Sequence, residues 1–241
     1  MTAAVLKLPA FDAPLSLEER AAALDRDAQS FNAQELIAAA IEEFRGRIAL
    51  VSSFGAESAA LLHLVASVDP KTPILFIDTQ KHFVQTNAYR EELTRRLRLE
   101  NVRSVYPDAD ATAKIDPKGD LWKRDNDACC ALRKVRPLKK ALEGYDAWFT
   151  GRKRMHGNAR AHLPLVEAAA PHIKINPLAR WSAEAIADYM RALDLPPHPL
   201  VESGFTSIGC WPCTAPTAPG DDARAGRWRG LAKTECGIHR A

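Results

Sequence analysis

Short β-branched, apolar runs alternate with helical stretches through most of this chain. That alternation restricts it to an α/β fold, a mostly parallel sheet with helices on both faces. Arg47 to Ser52 (RIALVS) reads as a strand, SFGAES as the turn after it, and about Glu57 to Val68 as the next helix. Ile74 to Ile77 (ILFI), the turn DTQKHF, a charged helix around Val84 to Leu99 and the strand NVRSVYP repeat the unit. The pattern then predicts a helix over 127–142 interrupted at Pro137, strands at DAWFT and HIKINPL, and a helix over SAEAIADYMRAL with Ser182 as N-cap. Two Ala-rich amphipathic helices between Ser16 and Phe44, parting near Phe31 and Asn32, are expected to cover the core. From Pro196 onward periodicity disappears and Pro and Gly become frequent. Residues 1–195 are therefore expected to form one α/β domain with its N-terminal helices, and residues 196–241 an irregular arm folded back over it.

At 241 residues the chain can bury one substantial core. The 33 basic and 30 acidic residues leave a net charge of only +3, which gives no reason to expect nucleic acid or an anionic membrane as partner. No run approaches the roughly 18 to 20 apolar residues of a membrane span. The N-terminal MTAAVLKLPAFDAPLSLEER lacks a basic segment followed by an apolar signal core, so a cytoplasmic protein is expected.

The chain has five cysteines, an odd number without a secretory signal, which argues against a disulfide framework. Cys129 and Cys130 are adjacent, Cys210 and Cys213 form a CxxC, and Cys236 stands apart near the end, an arrangement of four plus one. Four thiolates suit either tetrahedral zinc or an iron-sulfur cluster. Adjacent side chains on a helix diverge by about 100 degrees, which is awkward for two ligands of one small ion, and a 4Fe-4S cubane with its metal corners further apart is favoured. Lys134, one turn after Cys130, would place a cation beside the cluster sulfurs. Cys236 lies in KTECGIH among Arg224, Arg227, Lys233 and His239, a basic setting that lowers a thiol pKa and suits a nucleophile on a flexible tail.

SFGAES follows the first strand, where helix N-termini and loop amides hold anions in open α/β sheets. Ser52, Ser53 and Ser58 offer hydroxyls, Gly55 allows close backbone approach, and the helix from Glu57 points its positive end at the loop. The turn is neither a P-loop nor the GxGxxG fingerprint, so an ordinary turn stands beside anion binding as a reading. Asp78 and Thr79, at the end of the second strand, would reach a ribose or base, or serve only as a helix cap. GRKRMHGNARAHL, with its glycines and clustered basic residues, is expected to be a mobile loop.

From SFGAES to KTECGIH the chain resembles the assimilatory adenylyl-sulfate reductases, relatives of the phosphoadenylyl-sulfate reductases. The resemblance rests on SFGAES, DTQKHF, CCALRKVRPL, WFTGRKR, INPL with Trp181, HPLVESGFTSIGCWPCT, and RAGRW with KTECGIH. It implies an adenine-nucleotide α-hydrolase-like domain with a mobile C-terminal segment. It implies that Cys129, Cys130, Cys210 and Cys213 ligate a 4Fe-4S cluster, with Lys134 interacting with it. Cys236 would attack the sulfur of adenosine 5'-phosphosulfate and expel AMP, and thioredoxin or a glutaredoxin-like dithiol protein would release sulfite from the resulting Cys-S-sulfonate, a step of sulfate assimilation and cysteine biosynthesis. AMP is a good leaving group, so the main demand is to screen the substrate's charge. Arg152, Arg154 and Arg160 of the loop, and Arg224, Arg227 and His239 of the tail, are assigned to that screening. Ser52, Ser53, Phe54, Gly55, Glu57 and Ser58, with Asp78 and Thr79, are assigned to the adenosine and its phosphate. The family's loop is altered here, since HGN follows GRKRM. Relatives using the 3'-phosphorylated substrate generally lack both cysteine pairs, so the form without that phosphate is expected. Members are often oligomeric, which leaves a homo-oligomer among the expectations.

Two other readings stand beside this one. A tRNA-thiolating ATP pyrophosphatase would share the fold, but its loop should read SGGxDS where this chain has Phe54, Ala56 and Glu57. A non-catalytic cysteine-zinc module would leave the KTECGIH tail without a purpose.

Overall fold

The computed structural model describes residue 6 and residues 15–157, 160–230 and 233–239. A capping box at Ser16 starts helix α1 (Leu17–Ala28), and a second at Asn32 starts α2 (Ala33–Glu43). Strand β1 (Ile48–Ser52) leads to α3 (Ser58–Val68), β2 (Ile74–Ile77) to α4 (Val84–Arg96), and β3 (Val102–Val105) to the short helices α5 (Ala109–Ile115) and α6 (Leu121–Arg124). Helix α7 (Asn126–Cys130) runs into a π-turn (Ala131–Val135) and then α8 (Arg136–Ala141). Strands β4 (Ala147–Phe149), β5 (Val166–Ala169) and β6 (His172–Ile175) precede α9 (Ala183–Ala192), which Ser182 caps.

The six strands lie in the order β3-β2-β1-β4-β6-β5, all pairs parallel except β5 with β6. Strands β2, β4 and β6 are buried at every residue, as a sheet covered on both faces requires. One face packs Leu50, Phe76, Phe149 and Ile175 with Leu36, Ile37, Leu62 and Ile186 of the helices. The other packs Ala49, Leu75, Ile77 and Trp148 against Leu138 and Leu142. The fold matches the expected architecture. The additions are α5, α6 and the four-residue β5, whose Ala-rich sequence carries little strand signal.

The helix expected over 127–142 is divided, and Pro137 explains why. In a regular α-helix it would leave the Arg133 carbonyl without a donor and crowd it. Here the backbone widens just before it, so that the Arg136 N–H reaches the Ala131 carbonyl and the helix restarts with Pro137 in its first turn. After α9 the described residues form only 3-10 turns and two isolated bridges, His82 with Cys210 and Thr214 with Arg227. No described helix is long and apolar enough to cross a membrane.

Candidate active site

The chain steps from β1 outward to β2 and β3, then returns to place β4 on the other side of β1. Loops leaving the ends of β1 and β4 thus diverge and open a crevice. A cavity of about 200 Å³ lies there, walled by Ser52, Ser53, Gly55, Glu57 and Ser58 after β1, by Thr150 to Lys153, His156 and Arg160 after β4, and by Arg224, Arg227, Glu235, Cys236 and His239 of the arm.

The first wall depends on a tight turn. Phe54 adopts a left-handed φ of 48° that full burial against Phe76 sustains, with ring centroids 5.6 Å apart. Its N–H donates to Ser52 Oγ at 3.2 Å. A Cβ on Gly55 would stand 3.1 Å from the Ile208 carbonyl oxygen, so glycine is what lets the arm close over this loop. Helix α3 then aims its N-terminus at the crevice. Glu57 does not cap that helix; its carboxylate pairs with Lys153 Nζ at 2.6 Å.

The remaining walls are strongly basic and largely buried. Burial, reinforced by neighbouring arginines, lowers Arg152 and Arg224 to about 10. Burial and the adjacent cations hold His156 near 3, and the same causes hold His239 well below its ordinary range, so both imidazoles are neutral. Three buried ring or guanidinium nitrogens on this cavity lack a partner among the described residues: His82 Nδ1, Arg152 Nε and His239 Nδ1. Such orphaned polar atoms are costly in a dry site and mark where a ligand's polar groups belong.

Cys236 sits at the crevice, 9% exposed, its N–H donating to Glu235 Oε1 at 2.9 Å. A hydrogen bond from the Cys130 thiol, followed by Lys134, the Ile238 N–H and Arg227, outweighs burial and holds Cys236 well below the ordinary thiol range. Cys130 is raised correspondingly. Burial opposes the charge on Lys134, but Cys210, Cys236 and Cys130 together raise its pKa.

Beside the crevice, Cys129, Cys130, Cys210 and Cys213 line a common void of about 10 Å³ with Thr79, Asn126, Arg133 and Lys134. Cys210 is hydrogen-bonded to Thr79 Oγ1 at 3.1 Å, Cys213 accepts from Asn126 Nδ2 at 3.0 Å, and Cys130 accepts from Lys233 Nζ at 3.4 Å. All five cysteines are free thiols. No three His, Cys, Asp or Glu side chains among the described residues are grouped tightly enough for one metal ion. Four thiols lining one void are the donor set from which either a zinc ion or an iron-sulfur cluster could be held.

Most of the residues singled out in the sequence meet at these two places, but three do not. Phe54 belongs to the core, and Arg154 donates its Nε to the Leu163 carbonyl at 2.8 Å, away from the cavity. Asp78 is turned to cap Gln80 N at 2.9 Å, while Thr79, assigned to the nucleotide, lies at the cysteine void instead. Asn158, in the altered HGN stretch, lies outside the described residues, as does most of the N-terminal segment. The sequence reading missed Lys153, His156, His82 and Glu235. Lys153 was legible as a neighbour of Arg152, but the others are placed by contacts remote in sequence.

Residues 47–216 match the model of the phosphoadenosine phosphosulfate reductase domain. The chain is 52% identical to an adenosine 5'-phosphosulfate reductase of Chelativorans sp. (strain BNC1), over 94% of this chain and 93% of that one. It is 49% identical to the enzyme of the same name from Mesorhizobium japonicum, over 95% and 90%. Among solved structures, the phosphoadenylyl-sulfate reductase of Candida auris superimposes with a TM-score of 0.72 at 26% identity, covering 84% of this chain and 99% of that one. With a family model matched over most of its length and relatives about 50% identical along nearly the whole of it, this chain belongs to the phosphoadenosine phosphosulfate reductase family.

Proposed function

We propose that this protein reduces adenosine 5'-phosphosulfate to sulfite and AMP through a sulfonate carried on Cys236. The observation that carries this reading is a buried cysteine, with Lys134, Arg227 and the Ile238 N–H favouring its thiolate, in a crevice lined by Arg152, Lys153, Arg160, Arg224 and Arg227. Such a site offers a nucleophile and screening for a charged diester-like anhydride, and it offers no carboxylate free of a cationic partner to act as a strong acid.

In the reading, Ser52, Ser53, Gly55 and Ser58 receive the nucleotide at the start of α3, and the orphaned nitrogens of Arg152, His82 and His239 complete its polar contacts. Cys236 Sγ attacks the sulfate sulfur, the S–O bond breaks, and AMP leaves with the electron pair. The arm then presents Cys236-S-SO₃⁻ to a dithiol protein of the thioredoxin or glutaredoxin kind. One thiol attacks Cys236 Sγ and displaces sulfite, and the second resolves the mixed disulfide, returning Cys236 as a thiol.

The four thiols fit a 4Fe-4S cluster held by Cys129, Cys130, Cys210 and Cys213. When bound, that group supplies structural support and a fixed charge beside the site. With Cys130 serving as a ligand, Lys134, Arg227 and the Ile238 N–H would be the groups left to favour the Cys236 thiolate. The high identity to relatives named for adenosine 5'-phosphosulfate, together with both cysteine pairs, supports the substrate without a 3'-phosphate. Five free cysteines favour a reducing compartment such as the cytoplasm.

Anaerobic mass spectrometry tests the reading. Wild-type protein incubated with adenosine 5'-phosphosulfate and no thiol is expected to gain one sulfonate, absent in Cys236→Ser. No adduct on the cluster-loaded wild type would overturn the covalent mechanism.

A further inference from the structure

Four cations on the crevice are paired with internal carboxylates, with one difference among them. Lys153 pairs with Glu57, and Arg152 with Glu167, both within the α/β domain. Arg160 is paired with Glu235, from the arm and next to the nucleophile. Arg160 Nε donates to Glu235 Oε2 at 2.6 Å and its Nη2 to Oε1 at 2.8 Å, a bidentate fork. Arg224 Nη2 adds a longer contact at 3.4 Å, and the Cys236 N–H donates to the same Oε1 at 2.9 Å. Arg160 and Glu235 are both buried.

The carboxylate therefore fills the place that the basic crevice would give to a substrate anion. Size points the same way. Small-molecule pockets usually measure about 300 to 1,000 Å³, and this one, at about 200 Å³ with the arm docked, is small for an adenine nucleotide. Something must move to admit one. Glu57 and Glu167 are fixed on the domain, whereas Glu235 can leave with the arm.

We propose that Glu235 is an internal anion that competes with the substrate for Arg160 and Arg224. Entry of the phosphosulfate nucleotide exchanges the carboxylate for the substrate's own oxygens and releases the latch on the segment that carries Cys236. Before substrate arrives, the latch keeps the buried Arg160 and the half-buried Arg224 paired with a carboxylate and the nucleophile covered. The inference rests on the reading of the crevice as a phosphosulfate site.

Removing the charge at position 235 leaves the buried Arg160 and the half-buried Arg224 without their carboxylate, the costly half of a broken buried pair. They should then take the substrate more readily. The test is calorimetric binding of adenosine 5'-phosphosulfate in a Cys236→Ser background, which prevents turnover, with and without Glu235→Gln. The expected result is a Kd lower by about tenfold in the double variant, with faster tryptic cleavage after Lys233, which is buried in the docked arm. An unchanged or higher Kd overturns the proposal and makes Glu235 an orienting group for the arginines. Glu235→Asp, which keeps the charge but shortens the reach, should fall between the two, and it decides the matter if the Gln variant does not fold. If Cys236→Ser alone binds no substrate, the reading of the crevice itself fails, and the latch with it.

Discussion

Arg133 and Asp116 form an ion pair with Nη2 2.8 Å from Oδ2, their side chains only 5% and 0% exposed. The same guanidinium donates to the Thr79 carbonyl at 3.1 Å and to Gln80 Oε1 at 3.0 Å. It thus ties the π-turn after Cys130 to the end of β2 and to the loop before α6. Removing one partner strands a buried charge, which costs about 3 to 5 kcal/mol. Arg133→Met is expected to lower the melting temperature by roughly 10 °C and to reduce iron retained on purification, because the turn that carries Cys129 and Cys130 loses its anchor. Calorimetry with iron analysis checks this. A loss below about 1 kcal/mol would mean that the pair contributes little beyond its own desolvation.

The docked arm also relies on an aromatic contact. The His239 imidazole lies parallel to the Trp148 indole, at 8° with centroids 6.2 Å apart, and Lys174 Nζ stands 5.2 Å from the centre of the same indole. Since burial keeps His239 neutral, the stack is one of uncharged rings. Substituting His239→Phe should preserve docking, read as protection of Lys233 from trypsin, while raising KM because the unpartnered Nδ1 is lost. His239→Ala should lose both, with a docking penalty of about 1 kcal/mol. Equal protection in the two variants would show that the stack does not hold the arm.

How much of this was legible beforehand depended on whether the signal was local. Strands β1 and β2 with their helices announced themselves through RIALVS and ILFI, and the cysteine pairs through chemistry that few other arrangements serve. Glu235 was invisible as a partner of Arg160 because the two are 75 residues apart, and no periodicity encodes an ion pair across that distance. Thr79 was correctly placed at a strand end but turned to Cys210, a choice made by the arm's path beside β2. Strand β5 escaped because four residues, VEAA, carry too little β-branched character to stand out.

A pH dependence of stability follows from His198. Its ring is fully buried, its Nδ1 accepts from Leu200 N at 3.1 Å, and its Nε2 is left to donate to Thr86 Oγ1 at 3.0 Å. Only the neutral ring satisfies both contacts, and burial holds its pKa at about 4. Between about 4 and the ordinary histidine value near 6.5, the unfolded chain binds a proton that the folded chain refuses. Stability is then complete above that window and falls as pH drops through it, by at most about 1.4 kcal/mol per pH unit for this group. The melting temperature of His198→Asn should start lower and decline less steeply from pH 6.5 to 4.5. Parallel declines in wild type and variant would remove His198 from the account.

Arg152 gives the most direct test of how the crevice is aimed. Its Nη2 is held by Glu167 and lies 3.3 Å from Asn176 Oδ1, while its Nε has no partner among the described residues. Asn176 is fixed in turn by Thr150 Oγ1, which donates to the same Oδ1 at 2.6 Å. Lys174 Nζ lies 3.9 Å from Glu167, and burial, with Arg152 nearby, lowers it to about 8. Glu167 thus orients the guanidinium and offsets two buried cations without lining the cavity itself. Glu167→Gln keeps the shape and removes the charge, so Arg152 loses its anchor and its Nε no longer points one way. The expected result is a KM for adenosine 5'-phosphosulfate raised by about tenfold, roughly 1.4 kcal/mol of binding, with kcat changed less than threefold. Arg152→Lys, which cannot present an Nε donor in the same plane, should raise KM further. A fall in kcat at unchanged KM would instead place this guanidinium on the charge that develops as the S–O bond breaks.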